Sequence, residues 1–505
     1  MKIAIEGCAH GELENIYDTI QLLEETESIK INLLICCGDF QSSRNEADLL
    51  CMAVPQKYAK ICSFYKYYTG EKKAPILTIF IGGNHESSNY LQELPYGGWV
   101  ASNIYYLGYA GVINIGGIRI GGLSGIYKSR DYMKGHFEKV PYNEDTKRSV
   151  YHIRNLEIFR LKQLSGRLHI FLSHDWPNGI YNFGNTQQLL KKKPFFRDEI
   201  ESGQLGSKPY EELLHQLKPS YWFSAHLHCK FAALVPHEDK SVTKFLALDK
   251  CLPKRKFLQV VNIPHDEESK IDLSYDLEWL AILFLTNHLL SVRNTTTYMP
   301  GPGGNERYNF TPSEEDKQHV LSRFNNDLRI PKNFEISAPP YNAQSPKKVS
   351  KQPEAKLNPQ TVLLCETLGI TDPVCLISEA DGTISNLSLE LSVSDSFIND
   401  TFDTSTSSLS QSSTPVKQLG SQSSTPVKKL GGLSLPKPKL DVSDVENDAA
   451  SDAGKEKESD STIQTVNEEV PVVNSEKDVC SDASPNPKKF KRRNAELYND
   501  AVVNN

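Results

Sequence analysis

Ile76-Leu77-Thr78-Ile79-Phe80-Ile81-Gly82-Gly83-Asn84-His85-Glu86 joins an apolar run to a cluster of metal-capable polar groups. A short apolar run bounded by turn residues reads as a buried strand. The glycine pair lets the chain turn sharply where that strand stops. Ligands of open α/β sheets gather beyond the carboxyl ends of the strands, so Asn84 and His85 stand where chemistry is expected.

The same juxtaposition recurs in both directions. An apolar run at residues 2–7 leads into Cys8 and His10, one at 31–37 into Gly38-Asp39, one at 169–172 into His174, and one at 221–223 into Ala225-His226-Leu227-His228. Each alone has an ordinary reading. A single histidine after a strand is more often packed or solvent-facing than a ligand, and Gly-Asp and Gly-Asn are common turn pairs. Their occurrence together, in order, each at the end of an apolar strand, points to one metal site assembled from five strand ends. Leu13, Ile16, Tyr17, Ile20 and Leu23 repeat at i, i+3, i+4, i+7, an amphipathic helix between the first two strands. Further short strands are expected at 104–107, 112–115, 118–120, 231–235, 245–248 and 258–263. Helix and strand signals alternate early and strands dominate later, which predicts an α/β fold: a β-sandwich flanked by helices.

The chain has 505 residues, a net charge of -7 and 38% hydrophobic content. That charge excludes whole-molecule attraction to nucleic acid, so any such binding must use a local basic patch. Beyond residue 375 the only aromatic residues are Phe397, Phe402, Phe490 and Tyr498, a composition too polar to offset the entropy of ordering. Cys8, Cys36, Cys37, Cys51 and Cys62 form neither a disulfide framework nor paired CxxC knuckles. No secretory leader is expected at the start, and the apolar stretch 277–292 is too short and too polar to span a bilayer. These features predict a soluble protein of a reducing compartment with no membrane partner.

The expected units are a catalytic domain at 1–235, a smaller C-terminal domain at 236–340, and a largely disordered tail at 341–505. Within the first, residues 124–154 form a long polar loop rich in Lys, Arg and Tyr, leading to a helix at 150–164; such loops are usually functional or disordered. The second unit has helices at 277–292 and from Pro312 onward, where Thr311-Pro312-Ser313-Glu314 reads as a hydroxyl N-cap with Pro at N1 and Glu at N3. In the tail, residues 410–420 repeat almost unchanged as 421–431, and 487–493 is a basic cluster.

As a set, Cys8-Ala9-His10, Gly38-Asp39, Gly83-Asn84-His85-Glu86, Ser173-His174-Asp175-Trp176-Pro177 and Ala225-His226-Leu227-His228 resemble the ordered blocks of the calcineurin-like metallophosphoesterases. There are departures. Cys8 stands where most members have Asp, Ala225 replaces a Gly, and the second Asp of the protein-phosphatase form is absent after Gly38-Asp39-Phe40-Gln41-Ser42. Those departures are similar to the RNA lariat debranching family within that superfamily. The loop at 124–154 resembles its lariat recognition loop, residues 236–340 resemble its C-terminal domain, and the tail carries no resemblance.

The resemblance implies two divalent metal ions, Fe²⁺ and Zn²⁺ with Mn²⁺ able to substitute. It implies hydrolysis of the 2′–5′ phosphodiester bond at the branch of excised intron lariats, in RNA processing in the nucleus. It also implies a division of ligands: Asp39 bridging, Cys8, His10 and His228 at one ion, Asn84, His174 and His226 at the other. His85, beside a ligand but free itself, fits a general acid for the departing ribose oxygen; the alternative is support of a neighbouring ligand. A Cys8 thiolate is soft and favours Zn²⁺ or Fe²⁺ over Mg²⁺; the alternative is a small buried residue contacting no metal.

Tyr127, Lys128, Arg130, Tyr132, Lys134, Lys139 and Arg148 interleave cations with rings, a pattern that neutralises phosphates and stacks on unpaired bases. The alternative is a solvated mobile loop, since Asp131, Glu138, Glu144 and Asp145 dilute the charge; the resemblance favours RNA. The cluster 487–493 reads as a nuclear import signal with an import receptor as partner, or as a solvated charge run. Two rival functions remain. Another metallophosphoesterase, such as a protein phosphatase, is opposed by Cys8 and Ser42. A non-catalytic nuclear RNA-binding factor is opposed by His85 beside a nearly complete ligand set.

Overall fold

The computed structural model describes residues 1–380, apart from 267, 270 and 346–348, and all of them fall within one compact unit. The repeat at 410–431 and the basic cluster at 487–493 lie outside the described residues.

Thirteen strands are present among them: β1 (Lys2–Glu6), β2 (Leu33–Cys36), β3 (Leu77–Phe80), β4 (Gly98–Ala101), β5 (Ile104–Tyr106), β6 (Ala110–Ile115), β7 (Ile118–Leu123), β8 (Ile170–Ser173), β9 (Tyr221–Ser224), β10 (Phe231–Pro236), β11 (Val242–Ala247), β12 (Leu258–Asn262) and β13 (Leu273–Tyr275). They form two sheets, ordered β12-β1-β2-β3-β5-β4 and β10-β11-β9-β8-β7-β6-β13. In the first, β1, β2 and β3 run parallel; in the second, β7, β8 and β9 do.

Side chains alternate across these strands with period two, and each sheet buries both faces. Ile3, Ile5, Leu33, Ile35 and Ile79 from one sheet share a core with Ile113, Ile118, Ile120, Ile170 and Leu172 from the other. On the outer side of the first sheet, Ala4, Leu34 and Phe80 meet Leu13, Ile16, Tyr17 and Ile20 of the helix Leu13–Glu27. On the outer side of the second, Phe171 and Trp222 meet Tyr210, Leu213 and Leu214 of the helix Lys208–Leu217. Two sheets therefore sit at the centre with helices outside, as the sequence predicts. Strands buried on both faces read as continuous apolar runs, which is why β2 is a plain Leu-Leu-Ile-Cys.

Several boundaries differ from expectation. The segment after residue 235 is not separate in the sheets. β10 and β11 pair across the expected junction, β12 pairs with β1, and β13 pairs with β6. The turn to tail at 341 is also corrected. The helices Pro359–Leu368 and Pro373–Ala380 pack on the body, with Leu364 and Leu368 in its core. The Gln360 side chain bonds both the N–H and the carbonyl of Trp99, at 2.8 and 2.9 Å. The expected helix at 150–164 is shorter, Asn155–Leu161, because residues 126 and 152 pair as a bridge ahead of it; a separate turn of helix, Thr146–Ser149, precedes the bridge. Ser313, not Thr311, caps the helix Glu314–Arg323, with Asp316 completing the capping box. Among the described residues, no single helix is long and apolar enough to cross a membrane.

Candidate metal centre

Because β1, β2 and β3 are parallel to one another, and β8 to β9, their carboxyl ends present Cys8, His10, Asp39, Asn84, His85, His174, His226 and His228 as a group. The loops that carry them are tightly bent. His10, Asp39, His226 and His228 all have left-handed backbones, with φ of 46°, 48°, 61° and 48°, a conformation that costs a non-glycine residue energy and clusters at functional sites. Neighbouring bonds hold it. The His10 N–H donates to the Asp39 carbonyl at 2.6 Å, and the His85 N–H donates to Asp39 Oδ1 at 2.9 Å.

Two glycines are required by close approach. A Cβ on Gly83 would lie 2.3 Å from Asp39 Oδ1 and 2.7 Å from His174 Cε1, and one on Gly38 would lie 2.3 Å from His174 Nδ1. Real contacts of that kind do not occur, so both positions need hydrogen where other residues carry a side chain.

Ligand-type atoms of Cys8, His10, Asp39 and His228 all lie within 4.8 Å of one another. His10 Nε2 is 3.2 Å from His228 Nε2 and 3.6 Å from Asp39 Oδ2. The other carboxylate oxygen, Asp39 Oδ1, is 3.3 Å from His174 Nε2, which is itself 3.2 Å from Asn84 Oδ1. Asp39 thus faces two groups at once, one oxygen to each. His226 packs beside His174 with ring centroids 5.0 Å apart, and its N–H donates to Cys8 Sγ at 3.2 Å.

The donor set fits divalent cations. His174 Nδ1 lies 2.8 Å from the carbonyl of Cys37, so it carries a proton and Nε2 faces Asp39 Oδ1 and Asn84 Oδ1. Burial lowers the pKa of His174, but Asp39 and the Cys37 carbonyl outweigh burial and raise it; a proton on Nε2 thus fills the place that a divalent cation would take. Burial, chiefly, drives the pKa of His10 down to about 4, of His226 to about 3 and of His228 to about 2, which leaves these imidazoles neutral and able to coordinate. Burial alone would push Asp39 up, but His174, His85 and His10 outweigh it and hold its carboxyl well below the usual range. Burial, then Asp39 and Glu6, push the Cys8 thiol up; a cation between them reverses that balance, since a coordinating thiol gives up its proton.

His85 differs from His174. Its Nε2 is 3.2 Å from Asn84 Nδ2, while its Nδ1 is buried with no hydrogen-bond partner among the described residues. Its ring lies beside His10, centroids 5.6 Å apart. No carboxylate or carbonyl locks its tautomer.

Glu86 is a residue whose role the sequence reading missed. Its carboxylate accepts the backbone N–H groups of Phe40, Gln41 and Gly83 at 2.8, 2.8 and 2.9 Å, tying the loop after β2 to the loop after β3. Burial, then Asp39, push its pKa up to about 7 against those three donors. Its place directly after Asn84-His85 was the available signal. Trp176 is core, stacked on Phe231 with its indole N–H on the Ala225 carbonyl at 2.8 Å. Asp175 receives the N–H of Trp176 and of Tyr127, where the long loop begins.

That loop is built rather than mobile. Asp131, 3% exposed, accepts from His152 Nδ1 at 2.8 Å and Lys134 Nζ at 3.0 Å. Arg154, fully buried, donates to Glu138 at 2.6 Å and to the Ser149 carbonyl at 3.0 Å. Arg130 pairs with Asp131 at 3.3 Å, and Arg148 reaches the Glu144 carbonyl. Tyr127 and Tyr132 meet edge to face, centroids 5.4 Å apart, partly buried against the core. Lys139 is half-buried. Among the seven candidate RNA contacts, Lys128 acts on the centre through its charge, lowering His226.

Comparison with known proteins agrees with this geometry. Residues 1–230 match the model of the calcineurin-like phosphoesterase family, and residues 240–373 match that of the lariat debranching enzyme C-terminal domain. The second match runs past 340 through the helix Pro359–Leu368, as the packing does. The lariat debranching enzyme of Drosophila melanogaster is 51% identical over 544 residues, 99% of this chain and 99% of that one. Lariat debranching enzyme A of Xenopus laevis is 58% identical over 74% of this chain and 71% of its own. The lariat debranching enzyme of Homo sapiens is 55% identical over 74% of this chain and 70% of its own. With a phosphoesterase sandwich, a strand-end donor cluster and relatives of this closeness, the chain belongs to the lariat debranching enzyme family of calcineurin-like phosphoesterases.

Proposed function

We propose that this chain is a metal-dependent RNA phosphodiesterase that hydrolyses the 2′–5′ bond at the branch point of excised intron lariats, linearising them for turnover. The observation that carries the reading is the convergence of Cys8, His10, Asp39 and His228 within 4.8 Å in a chain so close to enzymes of that name. Divalent cations bound there supply Lewis acidity, activating water and neutralising the phosphate. Asp39 spans the two halves of the site, with Cys8, His10 and His228 on one side and Asn84, His174 and His226 on the other. The Cys37 carbonyl keeps His174 in the tautomer that offers Nε2. His85, whose ring no carboxylate or carbonyl locks, gives a proton to the departing branch 2′-oxygen, and the product is linear RNA with a 5′ phosphate. The thiolate of Cys8 favours Fe²⁺ and Zn²⁺, with Mn²⁺ substituting. A nuclear location, reached through an import receptor that reads residues 487–493, follows from the substrate.

The test is a branched oligonucleotide carrying a 2′–5′ and an adjacent 3′–5′ bond at one residue. The protein should cut the first and spare the second, and Asp39→Ala should abolish cutting while the circular dichroism spectrum is retained. Equal cutting of both linkages would reduce it to a generic phosphodiesterase. Ordinary turnover by Asp39→Ala would remove Asp39 from the site.

A further inference from the structure

The recognition loop lies on the His226 side of the centre, and a second cationic surface lies on the other. Residue 250 pairs in register beside Cys8 as a bridge, and the Cys251 N–H donates to the Cys8 carbonyl at 3.0 Å. Lys250 is therefore fixed next to the ligand strand, half-buried, and its charge is felt by His10 and His228. Two residues after His228, Lys230 spends one proton on the neutral amide of Gln259 at 2.7 Å and keeps its charge. Farther out, Lys193 lies over the ring of Phe195, 5.6 Å from its centroid, and that ring is 61% exposed. Lys192 and Lys193 act on Cys229, between His228 and Lys230, and Lys193 acts on Lys250, so the two groups lie within electrostatic reach of each other. Among the described residues, Arg255 is the member of this strip with a carboxylate partner, Asp249 at 3.3 Å; Lys192, Lys193 and Lys250 have none.

These cations end at an exposed ring and make a local basic patch in a chain whose net charge is -7, the local patch that binding to a polyanion needs. They match a polyanion with flat bases: phosphates on the lysines, a base on the aromatic face. We propose that the strip from Phe195 through Lys193 and Lys192 to Lys230, Arg255 and Lys250 is a track for a single-stranded RNA arm leaving the branch, opposite the arm held by residues 124–154. This rests on the debranching reading and adds to it a second path into the centre. A branch has three strands, and a site with one basic wall grips one of them; two walls fix the angle between two strands, which is what distinguishes a branch from a linear chain.

The experiment compares a branched RNA bearing an arm of about twelve nucleotides, within the usual span of single-strand sites, with the same branch trimmed to single nucleotides. The full chain is used, as wild type, as the double variant Lys192→Glu/Lys193→Glu, and as Phe195→Ala; all three positions are at the surface. The double variant should raise KM for the long-armed substrate about tenfold. It should also flatten its salt dependence by about 1.4 in log–log slope, roughly 0.7 for each of two phosphate contacts. Phe195→Ala should raise that KM about tenfold with no change of slope, as loss of one stacked base predicts. Neither should raise KM for the trimmed branch comparably. Equal KM for variants and wild type on the long arm overturns the track, including the case in which the variants lose an acidic peptide instead. If the wild type opens no branch at all, the debranching reading falls by itself. Fluorescence anisotropy of the unbranched arm then decides the track: weaker binding by the double variant supports it, and equal binding overturns it.

Discussion

Replacing Gly83 by alanine puts a methyl group where the centre already stands. The new Cβ would be 2.3 Å from Asp39 Oδ1, 2.5 Å from Asp39 N and 2.7 Å from His174 Cε1. Comfortable non-bonded contact needs about 3.5 Å, so the carboxylate, the imidazole or the strand end must move by roughly 1 Å. A displacement of that size in a reacting constellation costs on the order of 10²-fold, and the crowding itself costs roughly 1–3 kcal/mol of stability. Gly82→Ala is the matched control. Its Cβ meets first the end of a flexible side chain, Leu91 Cδ1 at 3.2 Å, which yields by a few tenths of an ångström. The assay is single-turnover cleavage of a branched oligonucleotide by both variants at saturating metal, with bound metal measured by mass spectrometry and melting followed in parallel. Gly83→Ala should cleave about 10²-fold more slowly and hold less metal, while Gly82→Ala stays near wild type. Indistinguishable rates for the two would refute the claim that Asp39 and His174 are packed against this turn when the site is working.

His85→Ala should keep its metal and fold while cleavage slows by roughly 10²–10⁴-fold; loss of metal together with activity would make His85 structural. Ending the chain after residue 380 should leave rate and melting temperature nearly intact. Ending it after residue 358 should lower the melting temperature sharply, because the core loses Leu364 and Leu368 and Trp99 loses both bonds to Gln360; equal melting of the two truncations would contradict the packing seen here. Asp372 caps the helix Pro373–Ala380 through the Val374 N–H at 2.8 Å, but its Oδ2 is buried without a partner among the described residues, and burial pushes its pKa up to about 6 from an ordinary 3.8. A folded-state pKa above the unfolded value means that stability is fully present below about pH 3.8 and is lost as pH rises through 6, by about 3 kcal/mol at most. Asp372→Asn keeps a good cap and removes the charge, so melting curves from pH 4 to 8 should show it above wild type at pH 7.5 and level with it at pH 4. A lower melting temperature at pH 7.5 would show that Asp372 is charged and paired.

The parts of the fold that were legible are those in which one residue type reports directly on burial. Ile3 and Ile5 face one way and Ala4 the other, and β1 follows from that alternation without help from the rest of the chain. What escaped was decided by partners distant in sequence. β4 begins Gly98-Trp99 and becomes a strand because β5 lies beside it and Gln360 bonds Trp99. β13 is Leu-Ser-Tyr, kept extended by pairing with β6. The break at 150–154 lies inside a helical pattern, and only the burial of His152 and Arg154 beside Asp131 and Glu138 makes an extended segment preferable there. Residues 359–380 read as tail because they carry no aromatic residue and follow a polar stretch, yet Leu364, Leu368, Ile370, Val374 and Ile377 are buried.

The same distinction separates the site's residues from the apparatus that holds them. Groups at strand ends can be read from sequence, since a strand's direction fixes which end its neighbours share. The four left-handed residues cannot, because nothing in Cys-Ala-His or His-Leu-His announces a positive φ. That geometry is imposed by contacts between loops: the Glu86 carboxylate gathers three N–H groups from two strand ends, and the Cys8 carbonyl and thiol bind the chain at residues 251 and 226. Apart from the local bond of Gly83, each of those bonds joins distant segments, as from Phe40 to Glu86, separated by 46. Loop-closure entropy grows only slowly with such separations, so once the parallel strands have brought the ends together, the bends cost little more. A carboxylate that accepts three backbone donors can hold strained turns that would relax in isolation. On this reasoning the sheets position the ligands to within a few ångströms, and Glu86 sets the remainder.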